Sequence, residues 1–282
     1  MTELQHFFAI HADCIEVAIK EARGSTPRET GAAMWVSATD TIGSIGGGRL
    51  EWLAIREART VLGDGRDLAR MELPLGPEIG QCCGGRVTLE LTRMSTAART
   101  DTLQRLATQS NARPAIYVLG AGHVGRALAS VLAGLPVRTI LVDQRQRELD
   151  RCTASVERRL SAIPEAVIAS AARRSAFVVL THDHALDFLL TAAALAKGDA
   201  AYVGMIGSKT KRAKFIAWHR EVYGDPPADH LTCPIGVNNL DDKRPEVIAL
   251  SVAAEVVPIL LAQSGNAAAC IDDRVKLSNS AR

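Results

Sequence analysis

The sequence predicts an α/β protein built of two parts, on three observations. From Pro114 onward, short apolar runs alternate with helical patterns, the signature of strand, crossover helix and parallel strand repeated. Gly120-Ala121-Gly122-His123-Val124-Gly125 stands between the first of those strands and the first of those helices. Before about Met94 the chain is rich in glycine and in period-two alternation. The expected architecture is a C-terminal Rossmann-like doubly wound parallel sheet over 114–282, a smaller N-terminal α+β domain over 1–95, and a linker over 96–113. A chain of 282 residues is long enough for two cores.

In the N-terminal part, Ile15–Lys20 alternates, with Val17 and Ile19 on one face. The loop Gly24-Ser25-Thr26-Pro27-Arg28 follows, then strands around Ala33–Val36 and Ile42–Ile45. A helix is expected from about Arg49, because Leu50, Ala54, Ala58, Val61 and Leu62 share a face. Met71–Leu73 and Arg86–Leu91 read as further strands, the latter alternating through Val87, Leu89 and Leu91. Between them runs Leu75-Gly76-Pro77-Glu78-Ile79-Gly80-Gln81-Cys82-Cys83-Gly84-Gly85. The polar stretch from Met94 to Arg113 is expected to hold a short helix with Leu103 and Leu106 as its stripe.

In the C-terminal part, Ala115–Leu119, Thr139–Val142, Phe177–Leu180 and Ala201–Met205 read as strands. Helices are expected over Val124–Leu132, Ala185–Lys197 and Lys209–Glu221. A last helix starts near Pro245, where proline suits the first turn, and runs towards Leu261. The small, polar tail after Gln263 is expected to fray.

Composition excludes several classes. A net charge of +2 and the lack of a block of like charge argue against nucleic acid. The six cysteines, Cys14, Cys82, Cys83, Cys152, Cys233 and Cys270, form no CxxC pair and no secreted disulfide framework. With no basic segment and apolar run at the N-terminus, the expectation is a reduced, cytoplasmic protein. The most apolar window, Ile248–Ala262, reads as too short to span a bilayer.

Cys82-Cys83 is the sharpest chemical signal. Adjacent Cα atoms lie about 3.8 Å apart, below the usual disulfide range of about 4.4–6.8 Å. The pair is poorly suited to bridging itself and offers two soft sulfur donors among glycines, fit for a soft metal, a thiol-bearing cofactor or a redox reagent. The bland alternative is two small buried residues. Redox sensing by the vicinal thiols is a further reading.

The Gly120–Gly125 turn fits G-x-G-x-x-G in its required context: Gly120 for the tight turn, Gly122 for a pyrophosphate's approach, Gly125 for helix–strand packing. Phosphate would sit on the helix N-terminus. Asp143 ends the next strand and could accept from a ribose 2′-OH. The alternative is that the glycines only permit the turn. Thr181-His182-Asp183-His184 follows a strand at the carboxyl edge, where open sheets bind ligands; it could serve a ligand or simply cap the next helix. Gly204–Arg212 looks like a second strand-to-helix anion cradle, with Ser208 as N-cap and Lys209, Lys211 and Arg212 on a first turn where cations oppose the helix dipole; the alternative is a solvated helix face. Gly46-Gly47-Gly48-Arg49, with Glu51 beyond, is a third anion-friendly turn or a tight strand-to-helix connection.

These motifs together resemble the XdhC/CoxI family, accessory proteins that deliver molybdenum cofactor to xanthine dehydrogenase and related molybdenum hydroxylases. The resemblance rests on Arg23–Arg28, Gly43–Glu51, Gly80–Gly85, Gly120–Gly125, Thr181–His184, Gly204–Lys209 and Pro234-Ile235-Gly236. The run Val237–Arg244 departs from the shorter, acidic, glycine-bearing turn more usual there. The resemblance implies a cofactor site drawing on Gln81, Cys82, Cys83, Gly46, Gly47, Gly48, Arg49, Gly120, Gly122, His123, Gly125, Asp143, His182, Asp183, Ser208 and Lys209. It implies Cys82 and Cys83 as metal contacts and molybdopterin as ligand. It further implies a homodimer that meets a cysteine desulfurase and an apo-molybdoenzyme, with no membrane and no catalytic step of its own. NAD(P) or another nucleotide is a second cofactor candidate. The competing function is an NAD-dependent oxidoreductase, with His182 and His184 as its best acid–base candidates.

Overall fold

The computed structural model describes residues 3–76, 84–224, 228–237 and 242–279, side chains of 263–279 excepted. It divides into two compact units, Met1–Thr108 and Gln109–Arg282. The division falls inside a helix, α3 (Thr96–Ala112), on the expected linker.

The first unit is a five-stranded antiparallel sheet in the order β3-β2-β1-β5-β4. Its strands are β1 (Ile15–Arg23), β2 (Ala33–Val36), β3 (Thr41–Gly43), β4 (Leu68–Pro74) and β5 (Arg86–Arg93). Alternation decides which face is buried: Ile15, Val17 and Ile19 of β1 and Val87, Leu89 and Leu91 of β5 all point into one core. Helix α2 (Gly48–Gly63) covers that face with Leu50, Ala54, Ala58 and Val61, spaced three or four apart on one stripe. A satellite core gathers Phe7 and Phe8 of α1 (Glu3–Ile10) with Cys14, Trp35 and Met94. At eight residues α1 is too short for its period to stand out in the sequence.

The second unit is a six-stranded parallel sheet in the order β11-β10-β9-β6-β7-β8. Its strands are β6 (Ala115–Leu119), β7 (Arg138–Asp143), β8 (Glu157–Leu160), β9 (Ala176–Val179), β10 (Tyr202–Met205) and β11 (Leu231–Thr232). The strand order reverses between β6 and β9, the switch point of a doubly wound sheet. Both faces are buried: Tyr117, Leu119, Phe177 and Val179 belong to one core, Ile116, Val118 and Val178 to the other. Helices α4 (His123–Leu132) and α9 (Pro245–Asn279) contribute to the second of these cores. Helices α6 (Pro164–Ser170), α7 (His184–Ala196) and α8 (Lys209–Tyr223) contribute to the first. A one-turn helix, α5 (Gln146–Asp150), follows β7.

Two expectations about the last helix are corrected. It continues to Asn279 instead of ending near Leu261. Its stretch Pro245–Ala262, with a mean hydropathy of 1.9, is long and apolar enough to cross a membrane by length and composition alone. The apolarity has a packing use here: Ala249, Val252, Ala253, Val256 and Leu260 share a core with Leu128, Ala129 and Leu132 of α4.

Candidate functional site

In the first unit, three glycine-bearing motifs converge on one corner. The loop after β1 lies between the other two. A Cβ on Gly85 would fall 2.2 Å from Ser25 O and 2.7 Å from Arg23 O, so that position admits only glycine. A Cβ on Gly46 would fall 2.5 Å from Pro27 Cβ, with the same consequence. Gly84 and Gly85 therefore press on Gly24 and Ser25, while the triple-glycine turn presses on Pro27.

The stem of the cysteine loop is fixed by paired main-chain bonds. Leu75 N–H donates to Gly85 O and Gly84 N–H to Leu75 O, both at 2.8 Å. Leu75 itself is fully buried in the sheet's core. Gln81, Cys82 and Cys83 lie outside the described residues. Beside the stem is a cavity of about 480 Å³, lined by Glu21, Arg23, Gly24, Glu72, Pro74, Gly84, Gly85, Arg86 and Thr88. Its lining mixes cations, carboxylates and exposed main chain, a surface for a polar ligand. Among the described residues no cluster of three or more His, Cys, Asp or Glu could hold a metal.

The triple-glycine turn is already organised around an internal anion. Glu51 Oε2 accepts from Ser44 Oγ at 2.7 Å, Gly47 N–H at 3.1 Å and Ile45 N–H at 3.2 Å. A carboxylate in the first turn of a helix also suits the dipole. Arg49, one residue into α2, lies 4.1 Å over the ring of Trp52, and Arg56 lies 4.8 Å from the same ring.

In the second unit the glycine turn is pinned from two sides. Asp143 Oδ2 accepts from Ala121 N–H at 2.7 Å, and Arg126 Nη1 donates to Ala121 O at 2.6 Å. Asp143 also accepts from Arg145 N–H and Nε, both at 2.9 Å, and from Arg145 Nη2 at 3.1 Å. Burial pushes its carboxyl up. The bonds from Arg145 and from the main chain outweigh that and leave it below the usual aspartate range. Gly122 is the N-cap of α4. His123 is exposed.

At the next loop, His182, Asp183 and His184 are exposed. Asp183 is the N-cap of α7, accepting from Ala185 N–H at 2.8 Å and Leu186 N–H at 3.4 Å. Ser208 caps α8, its Oγ accepting from Lys211 N–H at 3.3 Å, and Lys209 is exposed.

Residues 116–256 match the XdhC Rossmann domain, and residues 11–72 match the XdhC and CoxI family. The chain belongs to the XdhC/CoxI family. A relative from Escherichia coli (strain K12), the uncharacterized protein YqeB, is 28% identical over 253 residues. That match covers 86% of this chain but 42% of the relative, so the chain spans less than half of that protein's length. A crystal structure described as a xanthine dehydrogenase from Bacillus halodurans has a TM-score of 0.74 at 16% identity. It covers 93% of this chain and 96% of that one, and the two share a fold.

Two carboxylates of this XdhC/CoxI chain have roles that were not legible: Asp187, which no motif marks, and Glu51, which the sequence shows only as lying beyond the triple-glycine turn. Asp187 is fully buried on α7. Its Oδ1 accepts from Thr181 N–H at 2.8 Å and Thr181 Oγ1 at 2.7 Å, and its Oδ2 pairs with Lys211 Nζ. The cation at Lys211 thus faces a protein anion, which ties the Thr181 loop to the Ser208 turn. Buried Cys233 lies at the same edge, its Sγ 3.9 Å from Ser208 O. Burial pushes that thiol up, and Lys211 and Arg212 offset the push only in part. Glu51 is the other carboxylate. A signal for both existed in hindsight: an acidic residue one turn into a helix that follows a glycine- or threonine-bearing loop.

Proposed function

We propose that this chain is an accessory protein of a xanthine dehydrogenase-type molybdenum enzyme. In this reading it binds the molybdopterin form of the molybdenum cofactor and shields it from oxidation. It supports sulfuration of the cofactor by a cysteine desulfurase and hands the product to the apo-enzyme. It acts as a cytoplasmic homodimer and contributes no catalytic step of its own.

Two things support the reading: membership of the XdhC/CoxI family, and the convergence of three glycine-bearing motifs beside a polar cavity in the first unit. The convergence is the observation that carries it, because it brings the stem of the cysteine loop against the Gly24–Arg28 loop. Cys82 and Cys83 would supply soft thiolate donors toward molybdenum. Arg23, Arg86 and the main chain of Gly84 and Gly85 would face the cofactor's polar groups. The Gly46–Gly48 turn is less suited to the phosphate, since Glu51 already occupies its Ile45 and Gly47 donors.

The test is co-purification. The chain is expressed in cells that make the cofactor but lack the client enzyme, and bound molybdopterin is quantified as its fluorescent oxidation product. Near-stoichiometric cofactor is expected, lost in the Cys82→Ala/Cys83→Ala double variant. Cofactor-free protein, or undiminished loading of the double variant, would overturn the proposal.

A further inference from the structure

The sheet of the first unit ends in two unlike edges. At one end β3 is three residues long, a length that blunts an edge. At the other, β4 runs for seven residues and, among the described residues, pairs on one side only, with β5. Its register with β5 is unbroken from Leu68↔Thr92 to Pro74↔Arg86. It carries no lysine, and its one proline stands at the last position, so β4 lacks the usual devices that protect an exposed edge.

Main-chain parity shows what that edge offers. Asp67 C=O accepts from Arg93 N–H and Leu75 N–H donates to Gly85 C=O, both at 2.8 Å. Odd positions of β4 therefore turn their main-chain groups to β5, and Leu68, Arg70, Glu72 and Pro74 turn theirs outward. The side chains at these even positions are exposed, while Ala69, Met71 and Leu73 pack, partly buried, against the core under α2. Arg70 and Glu72 are only loosely engaged by their own chain. Arg70 Nη2 lies 3.7 Å from Glu21 Oε1, and Arg86 Nη1 lies 4.0 Å from Glu72 Oε2. The two side chains are 61% and 59% exposed.

We propose that β4 pairs antiparallel with β4 of a second copy of this chain, about a two-fold axis at Met71, and joins the two sheets into one. The strand Leu68-Ala69-Arg70-Met71-Glu72-Leu73-Pro74 is self-complementary about that point. Arg70 stands opposite the partner's Glu72 and Glu72 opposite the partner's Arg70, exchanging main-chain bonds as well as matching charge. Leu68 N–H reaches the partner's Pro74 C=O, a bond that needs no N–H from the proline. On the other face Met71 meets the partner's Met71 and Ala69 meets the partner's Leu73, which extends the apolar row over the core. A slip of two residues either way sets Arg70 against the partner's Arg70 or Glu72 against the partner's Glu72. A slip of one sets outward main-chain groups against inward ones. Charge thus selects both the occupant and the register. Glu72 lines the cavity beside the cysteine-loop stem, so the pairing brings the partner's Arg70 to the rim of that cavity. The inference rests on the homodimeric part of the proposed reading and supplies the surface that forms it.

Sedimentation velocity of the full chain tests it, with charge reversal as the probe. The parent is expected to dimerise in the micromolar range. Arg70→Glu and Glu72→Arg each set like charges opposite, twice across the axis, and should weaken the dimer at least about tenfold. The double variant Arg70→Glu/Glu72→Arg should restore it to within about threefold of the parent. Met71→Cys should cross-link to itself on mild oxidation, because a non-hydrogen-bonded pair sets Cα atoms about 4.5 Å apart, within disulfide reach. Ala69→Cys should cross-link no more than the parent, since it faces the partner's Leu73. A dimer indifferent to both single reversals, one that the double reversal does not restore, or equal cross-linking at 69 and 71 would overturn the inference and leave the homodimer standing. A monomeric parent would overturn the inference and the homodimer together, and molybdopterin bound to that monomer would leave the cofactor reading intact.

Discussion

Replacing Asp187 by alanine removes, at one stroke, the acceptor of three donors: Thr181 N–H, Thr181 Oγ1 and Lys211 Nζ. Asp187 is wholly buried and the Lys211 side chain is 12% exposed. An exposed ion pair contributes about 0–1 kcal/mol, whereas removing one partner of a buried pair costs about 3–5 kcal/mol. The Thr181 hydroxyl can still donate to Asp183 O at 3.0 Å, so its loss is small. The Thr181 N–H has lost its partner, a penalty of about 1–3 kcal/mol. These effects share one carboxylate and are not additive, which places the expected destabilisation near 4 kcal/mol. Asp187→Leu combined with Lys211→Met removes both charges and leaves only the Thr181 N–H unpaired. Its expected loss is about 1–3 kcal/mol, less than that of the single variant. The assay is urea unfolding at pH 7 followed by far-ultraviolet circular dichroism, with the second unit's transition fitted separately. A loss below about 1 kcal/mol in Asp187→Ala, or a double variant no more stable than the single one, would refute the buried-pair argument.

Other expectations follow from the same geometry. Asp143 is more acidic folded than unfolded, so its contribution is present above the unfolded value near 3.9 and is lost as pH falls through the folded one. Asp143→Asn should therefore lower stability at pH 7 and flatten the acid limb below about pH 4 in thermal melts recorded against pH. Gly85→Ala should destabilise the first unit far more than Gly84→Ala. A Cβ at 85 meets Ser25 O at 2.2 Å, whereas at 84 it meets nothing within 4 Å and carries only the left-handed backbone cost of about 1–2 kcal/mol. Equal midpoints for the two variants would show that the loops do not press on each other there. Glu51→Ala leaves Ser44 Oγ and the Ile45 and Gly47 N–H groups without their acceptor, at a cost of about 1–3 kcal/mol by chemical denaturation. Glu51→Gln, which keeps an acceptor oxygen, should recover part of it.

The doubly wound sheet was legible because its strands are buried on both faces and read as unbroken apolar runs, Ala115–Leu119 and Ala176–Val179 among them. β8 was not. Its residues Glu157-Arg158-Arg159-Leu160 form a polar edge strand, held by ladder bonds to β7 and by Arg138 and Arg159 on Glu157. Such a strand lacks the pattern that marks a core. The glycine-rich motifs were equally visible as motifs, because only glycine tolerates the positive φ of Gly46, Gly47 and Gly48 in succession. Which donors and acceptors those turns leave open was not visible, since that depends on Glu51, Asp187 and Arg145 returning from helices and loops to fill them.

Local order, written in period and glycine placement, is set by the sequence alone: two units, the parallel sheet, the turn after β6 and the N-terminus of α4. These depend on steric limits that act within a few residues. Tertiary structure alone decided that Gly85, Ser25, Pro27 and Gly46 meet at one corner. It also decided that Lys211 faces Asp187, and that Gly122 is the one glycine of its turn that the fold does not require. Those outcomes turn on close approach between segments far apart in the chain, for which linear spacing carries no signal.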